Sequence, residues 1–191
     1  MKFGTKAIHA GIEPDPTTGA VMTPIYQTST YAQEAPGKHK GYEYARTQNP
    51  TRSVLEKNLA ALENGVDSIC FSSGLAAMDA ILKLLKPGDE LIASNDLYGG
   101  SYRLIKTVFE PYGIKSHFID LDNPENIRAV IKKKKTKLVW LETPTNPMLN
   151  IIDIKAICSI VKEYNDILIC VDNTFSSPYL QNPLDLSLIH I

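Results

Sequence analysis

The chain of 191 residues has few cysteines and no long apolar run. Its three cysteines, Cys70, Cys158 and Cys170, show no Cys-x-x-Cys spacing, which argues against a disulfide framework and for a reducing compartment. Cys70 and Cys170 lie in apolar runs, so we expect small buried thiols there. No stretch approaches the ~18 apolar residues of a membrane span. Residues 1–6 also lack the apolar segment of a signal peptide, so we expect a soluble, cytoplasmic protein.

The sequence also lacks an excess of charge of either sign. Lys and Arg number 20 against 21 Asp and Glu, which gives a net charge of −1. No long-range field therefore attracts nucleic acid or an anionic membrane. The basic cluster Lys132 to Lys135 is predicted to be the solvated last turn of a helix, where cations complement the helix dipole.

Residues 1–50 show little sustained hydrophobic periodicity and are rich in proline and glycine. This composition predicts a long arm with short helices. Such an arm cannot form a core of its own, so we expect it to lie on the rest of the chain or on a second subunit. The predicted organisation is an arm over 1–50, an α/β domain over 51–185, and a tail over 186–191 that is foreign to the natural protein.

From Pro50 onward, apolar runs alternate with amphipathic segments. Continuous apolar runs separated by amphipathic helices are typical of a parallel sheet covered on both faces. We therefore predict an α/β fold whose ligands bind at the carboxyl ends of the strands. The predicted strands span 68–71, 90–93, 115–119, 137–141 and 167–171, and the predicted helices span 51–62, 73–85, 102–109, 124–134 and 153–164.

Small and aromatic residues follow the first two predicted strands. Ser73 and Gly74 lead straight into a helix, whose N–H groups and dipole suit a phosphate. A tight turn that needs small residues explains this pattern equally well. Tyr98 follows the second strand, at a position where an aromatic ring stacks on a planar ligand or simply packs on the surface.

Polar residues follow the last two predicted strands. Asn146 offers a fixed amide in a loop that Pro144 and Pro147 stiffen. Asp172 ends an apolar run, where a carboxylate needs a partner such as a protonated ring nitrogen, or else caps a helix. A phosphate site, an aromatic ring, an amide and a buried acid together favour one ligand, a phosphorylated pyridine that acts as an electron sink.

Six strings in the chain occur in the same order in a known enzyme family. They span residues 5–11, 24–30, 44–52, 72–77, 142–147 and 171–175 and read TKAIHAG, PIYQTST, YARTQNPTR, SSGLAA, ETPTNP and VDNTF. Over about residues 2–185 the chain resembles the Cys/Met-metabolism family of pyridoxal-phosphate enzymes. The resemblance implies fold type I, which is the aspartate-aminotransferase-like fold, with a mostly parallel sheet and helices on both faces. It also implies pyridoxal 5′-phosphate as the cofactor.

The resemblance assigns cofactor contacts to positions in the matching strings. Ser73, Gly74 and Leu75 match the turn that binds the cofactor phosphate. Tyr98 matches the tyrosine that stacks on the pyridine ring and assists proton transfer. Asp172 matches the acid that pairs with the ring nitrogen.

Further positions carry over in the same way. Asn146 matches the amide near the cofactor's phenolic oxygen, and Glu142 lies in the same wall. Tyr44 and Arg46 match a pair that reaches the phosphate of the neighbouring subunit. The resemblance therefore implies a homodimer, and a tetramer for a protein of full length; it implies no metal.

The implied activity is trans-sulfuration, with γ-replacement that joins cysteine to an activated homoserine as the first expectation. Elimination from cystathionine at its γ- or β-carbon and γ-elimination from methionine are the alternatives. A non-catalytic dimerising or binding module with the same fold is an alternative from another class. A dehydrogenase-type nucleotide-binding domain is disfavoured because no Gly-x-Gly-x-x-Gly follows the first predicted strand.

The end of the chain departs from the family pattern. The family has a Ser-x-Thr-Lys motif a few tens of residues after the Asp172 string, and its lysine binds the cofactor covalently. This chain has no lysine after Lys162. Its last six residues read as the translation of CTG TCT CTT ATA CAC ATC, which resembles a transposase end used in sequencing adaptors. We therefore expect a truncated chain that is inactive by itself.

Overall fold

The computed structural model describes residues 1–186, which form two compact units that divide after Cys70. The first unit contains α1 (Phe3–His9) and α2 (Pro50–Leu62). Asn58 of α2 donates hydrogen bonds of 2.9 Å to the carbonyls of Lys6 and Ala10. The arm predicted to end at residue 50 therefore shares its compact unit with the helix that follows it.

The second unit is built on a parallel sheet of four strands in the described residues, in the order β2-β1-β3-β4. The chain leads from β1 to β2 on one side of the sheet and from β3 to β4 on the other side. The connections of the neighbours β1 and β3 therefore run in opposite directions, which creates a topological switch point at the carboxyl ends of these two strands. The elements of this unit are α3 (Gly74–Leu82), β1 (Glu90–Ser94), α4 (Gly99–Leu104), a π-helical turn (Ile105–Phe109), β2 (Lys115–Ile119), α5 (Asn126–Val130), β3 (Thr136–Glu142), α6 (Ile154–Val161), β4 (Leu168–Asp172), α7 (Ser177–Leu180) and a 3-10 turn (Pro183–Leu186).

Each face of the sheet is covered by helices, because successive strand residues point to opposite sides. Leu91 and Trp140 pack against α3 and the π-helical turn, in a cluster with Met78 and Phe109. The intervening strand residues pack on the other face with α5 and α6, in a cluster that contains Ile92, Val139, Leu141, Ile127, Ile157 and Val161. The structure thus confirms the predicted α/β class with a parallel sheet between two helical layers.

One predicted strand does not form. Residues 68–71 have no regular secondary structure and make no strand pairing within residues 1–186, and Ile69 and Phe71 are 74% and 46% exposed. A strand is defined by its ladder of hydrogen bonds to a neighbour, and an apolar run cannot supply that neighbour. Cys70, expected to be buried in this strand, is only half-buried, whereas Cys170 in β4 is buried as predicted.

The basic run Lys132 to Lys135 was wrongly predicted to be helical. The helix α5 ends at Val130, and the lysines form the turn that leads into β3. Lys134 has a φ of 77°, which lies outside helical geometry. The buried Thr136 accepts a hydrogen bond of 2.9 Å from the Lys132 N–H, and this bond anchors the turn.

The amino ends of the strands carry a buried carboxylate, Glu90, with two partners. Glu90 is 3% exposed, and its carboxylate oxygens lie 2.7 Å from His117 Nε2 and 3.1 Å from Lys132 Nζ. Burial by itself would raise the pKa of Glu90, but the bonds to His117 and Lys132 outweigh it and hold the pKa below its usual value. These contacts link the start of β1 to β2 and to the turn before β3, at the end of the sheet opposite the switch point.

Among residues 1–186, no helix combines the length and the apolar character needed to cross a membrane.

Candidate functional site

A cavity of about 380 Å³ opens at the carboxyl ends of β1, β3 and β4. This volume lies within the range of small-molecule sites, and its position is the one at which α/β sheets bind ligands. Seven of the predicted site residues line it: Ser73, Gly74, Leu75, Tyr98, Glu142, Asn146 and Asp172. The structure therefore brings these seven residues together around one cavity, and their individual roles stay predictions.

The first wall of the cavity is the N-terminus of α3. Ser73 is the N-cap, and its hydroxyl oxygen accepts a hydrogen bond of 3.1 Å from the Ala76 N–H. Gly74 and Leu75 are the first two helical residues, whose N–H groups have no acceptor within a helix. A Cβ placed on Gly74 would meet no protein atom within 4 Å, so this turn leaves open space beside its backbone.

A single buried carboxylate joins two further walls. Glu142 at the end of β3 is 5% exposed. Its Oε2 accepts a hydrogen bond of 2.9 Å from the Tyr98 N–H, and its Oε1 accepts one of 2.9 Å from the Asn146 N–H. Glu142 therefore connects the loop after β1, which carries Tyr98, to the loop after β3, which carries Asn146.

The environment of Glu142 works against its negative charge. Burial is the largest cause, and the nearby carboxylates of Asp172 and Asp96 add to it, so the pKa of Glu142 lies above its usual value despite the two N–H bonds. Glu142 and Asp172 are register partners across β3 and β4. A cationic group in the cavity would relieve this concentration of negative charge.

The loop after β3 is held by side chains that the sequence did not single out. Asp96 Oδ2 accepts hydrogen bonds from the Thr145 hydroxyl and, at 3.0 Å, from the Met148 N–H. Thr145 is completely buried and also accepts a bond of 2.9 Å from the Asn150 N–H. The Thr143–Pro144 and Asn146–Pro147 peptide bonds in this loop are both cis.

Asp172 lines the cavity, and one of its carboxylate oxygens is bound by Thr174. Its Oδ1 accepts hydrogen bonds from the Thr174 N–H at 3.1 Å and the Thr174 hydroxyl at 2.5 Å. The nearest helix, α7, has Ser176 as its N-cap, so Asp172 does not cap a helix. The alternative that explained Asp172 as an N-cap is therefore wrong.

Tyr44 and Arg46 lie in the first unit and are not among the residues that line the cavity. The guanidinium carbon of Arg46 lies 4.7 Å from the centre of the Tyr44 ring, in a cation–π contact. The two residues predicted to act together are therefore in contact with each other.

Sequence reasoning missed part of the lining. Met78, Ser101, Trp140, Thr174 and Phe175 contribute to the cavity. Thr174 directly follows the Asp172–Asn173 pair, so its position after a strand was a usable signal. Met78 and Trp140 read as ordinary core residues, and only the packing of α3 against β3 shows that they also border the cavity.

Comparisons with known proteins agree with this geometry. Residues 4–189 match the model of the family described as "Cys/Met metabolism PLP-dependent enzyme". The chain is 52% identical over 184 residues to a probable cystathionine gamma-synthase of Herpetosiphon aurantiacus, with 96% of this chain and 57% of the relative covered. It is 50% identical over 183 residues to a cystathionine beta-lyase of Coxiella burnetii, with 95% of this chain and 47% of the relative covered.

Solved structures show the same likeness. The crystal structure of cystathionine gamma-lyase from Lactobacillus plantarum, complexed with L-serine, matches with a TM-score of 0.93 and 45% identity. The match covers 98% of this chain and 49% of that structure, so the chain spans about half the length of the relatives it matches. The family match, the fold and the residues assembled at the switch point agree: the chain belongs to the Cys/Met-metabolism family of pyridoxal-phosphate-dependent enzymes.

Proposed function

We propose that this chain is the N-terminal part of a trans-sulfuration enzyme of the relatives' length, called the full-length protein below. The reaction proposed for that protein joins cysteine to an activated homoserine by γ-replacement, which makes it a cystathionine gamma-synthase. The cavity at the switch point, with Ser73, Tyr98, Asn146 and Asp172 in its lining, is the observation that carries the proposal.

The residues of the cavity fit pyridoxal phosphate. The open space beside Gly74, at the N-terminus of a nine-residue helix, has the room and the N–H donors that a phosphate requires. The concentration of negative charge formed by Glu142 and Asp172 matches a protonated pyridine nitrogen, which is the cationic part of this cofactor. A cavity of about 380 Å³ has room for the ring and a small amino-acid substrate.

Each residue then has a defined task. The turn of Ser73, Gly74 and Leu75 binds the phosphate through N–H groups and the Ser73 hydroxyl. Asp172 accepts a hydrogen bond from the ring nitrogen and keeps that nitrogen protonated. The aromatic ring of Tyr98 stacks on the pyridine. When bound, pyridoxal phosphate supplies an electron-withdrawing ring that stabilises negative charge developing on the substrate.

The remaining residues support this arrangement. The Asn146 amide donates a hydrogen bond to the phenolic oxygen of the cofactor. Glu142 orients Tyr98 and Asn146 through their backbone N–H groups and does not contact the substrate. Tyr44 and Arg46 are proposed to bind the phosphate of the partner subunit in a homodimer, which would give the arm its function; a dimer of such dimers is the proposed tetramer.

Asp172 provides the sharpest test of the proposed site. In the full-length protein, we expect Asp172→Ala to abolish turnover, because the ring nitrogen loses its anionic partner and its proton. The matched control is Asp122→Ala, which removes a carboxylate from a solvent-exposed residue. An Asp172→Ala variant that keeps most of its turnover would contradict the role of this residue and favour a ligand other than pyridoxal phosphate.

The reaction itself is tested by products. γ-Replacement consumes cysteine and an activated homoserine and releases cystathionine, whereas γ- and β-elimination from cystathionine release 2-oxobutyrate and pyruvate. Methanethiol would indicate γ-elimination from methionine. When each substrate or substrate pair is supplied in a separate assay, we expect γ-replacement to be the main activity, with cystathionine as its product. Absence of every product from a protein with bound cofactor would support the non-catalytic module instead.

A further inference from the structure

Gly100, the second residue of α4, is buried beneath the side chain of Tyr98. A Cβ built on Gly100 would lie 2.4 Å from Tyr98 Cε1 and 3.0 Å from Tyr98 Cζ. The three nearest heavy atoms all belong to the Tyr98 ring. The ring therefore packs directly on the backbone of Gly100, at a distance that leaves no room for a side chain unless the ring moves.

The neighbouring Gly99 lacks this constraint. A Cβ on Gly99 would meet only Arg103 Nη1, at 3.5 Å, which is ordinary van der Waals contact. Both glycines belong to α4, so both have a helical backbone that any residue can adopt. Alanine is favoured over glycine in helices, so backbone conformation does not explain a glycine at either position. Gly100 is buried whereas Gly99 is exposed, and the space beside Gly100 is filled by the Tyr98 ring.

A side chain at position 100 would therefore displace the ring. Ordinary contact begins at 3.4 Å, so Tyr98 Cε1 would have to move by about 1 Å from its distance of 2.4 Å. The backbone of Tyr98 cannot follow freely, because its N–H is bound to Glu142 Oε2 at 2.9 Å. The ring must instead rotate about its side-chain torsions, and this rotation changes the cavity wall that Tyr98 forms.

We propose that Gly100 is a positioning residue that sets the height and tilt of the Tyr98 ring against the bound cofactor. The inference rests on the proposed function, in which Tyr98 stacks on pyridoxal phosphate. It adds that the stacking geometry depends on the missing side chain at position 100, while Gly99 beside it is free to vary. In catalysis, a misplacement of about 1 Å costs up to about 100-fold in rate.

The test compares Gly100→Ala with Gly99→Ala in the full-length protein, in wild-type and Tyr98→Ala backgrounds. The readouts are the dissociation constant of the cofactor-free protein for pyridoxal phosphate and the visible circular dichroism of the bound cofactor, which reports the surroundings of its ring. We expect Gly100→Ala to weaken binding by roughly tenfold, which corresponds to about 1.4 kcal/mol, and to change the dichroism. Gly99→Ala should stay within about twofold of the wild type, and far-ultraviolet spectra should show that both variants fold.

The double variant separates this inference from the proposed function. Once Tyr98→Ala has removed the ring, Gly100→Ala should cause no further loss, because the clash has disappeared. A Gly100→Ala protein with the same dissociation constant and visible dichroism as Gly99→Ala would overturn the inference. A loss of cofactor affinity that persists undiminished in the Tyr98→Ala background would overturn it as well. If Tyr98→Ala itself binds the cofactor like the wild type, the proposed stacking role is wrong. A Gly100→Ala protein that fails to fold, when the Tyr98→Ala double variant folds, would confirm that the ring and the added methyl group collide.

Discussion

Replacing Glu142 with Gln removes one hydrogen-bond acceptor from the junction between two loops of the cavity. The carboxylate accepts one N–H on each oxygen, from Tyr98 and from Asn146, both at 2.9 Å. The Gln side chain keeps one acceptor oxygen but presents an NH₂ group to the second N–H. One of the two backbone donors therefore loses its partner on Glu142, a side chain that is only 5% exposed.

The magnitude follows from two opposing effects. An unpartnered buried N–H costs about 1–3 kcal/mol. The neutral Gln offsets part of this loss of stability, because it removes a carboxylate whose pKa is raised by burial and by the nearby Asp172 and Asp96. We expect the loss of the hydrogen bond to dominate, because both donors are backbone groups that cannot rotate away, and we expect a net destabilisation of about 1–2 kcal/mol.

Urea unfolding followed by far-ultraviolet circular dichroism measures this difference. With a slope of about 2 kcal/mol per molar urea, the midpoint should fall by about 0.5–1 M. Glu125→Gln is the matched control, because the Glu125 side chain is 66% exposed and its ion pair with Arg128 lies on the surface; it should change stability by less than about 0.5 kcal/mol. A Glu142→Gln protein at least as stable as the wild type would refute the reasoning and show that the cost of the buried charge exceeds the gain from the second hydrogen bond.

The remaining predictions concern pH, subunits and the chain by itself. Because the pKa of Glu90 is lowered in the folded state, its stabilising contribution is present above pH 4.5, the ordinary pKa of a Glu side chain, and is lost as the pH falls through the lower folded-state pKa. The midpoint of urea unfolding should therefore fall less steeply with acidification in Glu90→Gln than in the wild type, and equal slopes would contradict this. Mixed dimers that combine an Arg46→Ala subunit with a subunit lacking the cofactor-binding lysine should regain activity at one site per dimer, and no recovery would place the arm on its own subunit. The 191-residue chain, with no lysine after Lys162, should bind pyridoxal phosphate only reversibly, so a visible absorbance band that survives dialysis, with keto-acid release from cystathionine, would overturn this expectation.

The order of the elements was predictable because buried parallel strands appear in a sequence as continuous apolar runs. The runs around Leu91, Val139 and Ile169 contain no alternation, and each lies between amphipathic segments, so both helical layers followed from the sequence. The residues after each strand were equally readable, since the carboxyl ends of parallel strands share one edge. Ser73, Tyr98, Asn146 and Asp172 were found in this way.

The failures have physical causes that a pattern of apolar residues does not contain. Residues 68–71 read as a strand, but strand formation depends on a hydrogen-bonded neighbour, which residues 1–186 do not supply to this segment. The lysine run was assigned to a helix because cations suit a helix C-terminus. In the structure, Lys132 donates hydrogen bonds to the Thr136 hydroxyl and the Glu90 carboxylate, and these contacts hold it in the turn before β3. The compact unit that ends at Cys70 includes both α1 and α2, which Asn58 joins through a polar contact that hydrophobicity does not reveal; the predicted domain bounds stay a prediction.

The predicted tail over 186–191 lies, apart from Leu186, outside the described residues. Leu186 ends the 3-10 turn and packs on the cluster formed by α6 and the sheet. The hypothesis of adaptor-derived sequence therefore stays a prediction, and amplification of the locus from source DNA tests it. A genome that encodes Ser187 to Ile191 followed by a stop codon would contradict it.

Trp140 gives the chain an optical property that follows from its place in the fold. It is the single tryptophan among the 191 residues, and it lines the cavity from β3. Its Nε1 is buried and has no hydrogen-bond partner within the described part of the chain. All tryptophan emission of this chain therefore originates at the wall of the candidate site, and a bound pyridoxal ring, which absorbs in the near ultraviolet, would quench that emission by energy transfer. The protein carries its own fluorescent indicator of whether the site is filled.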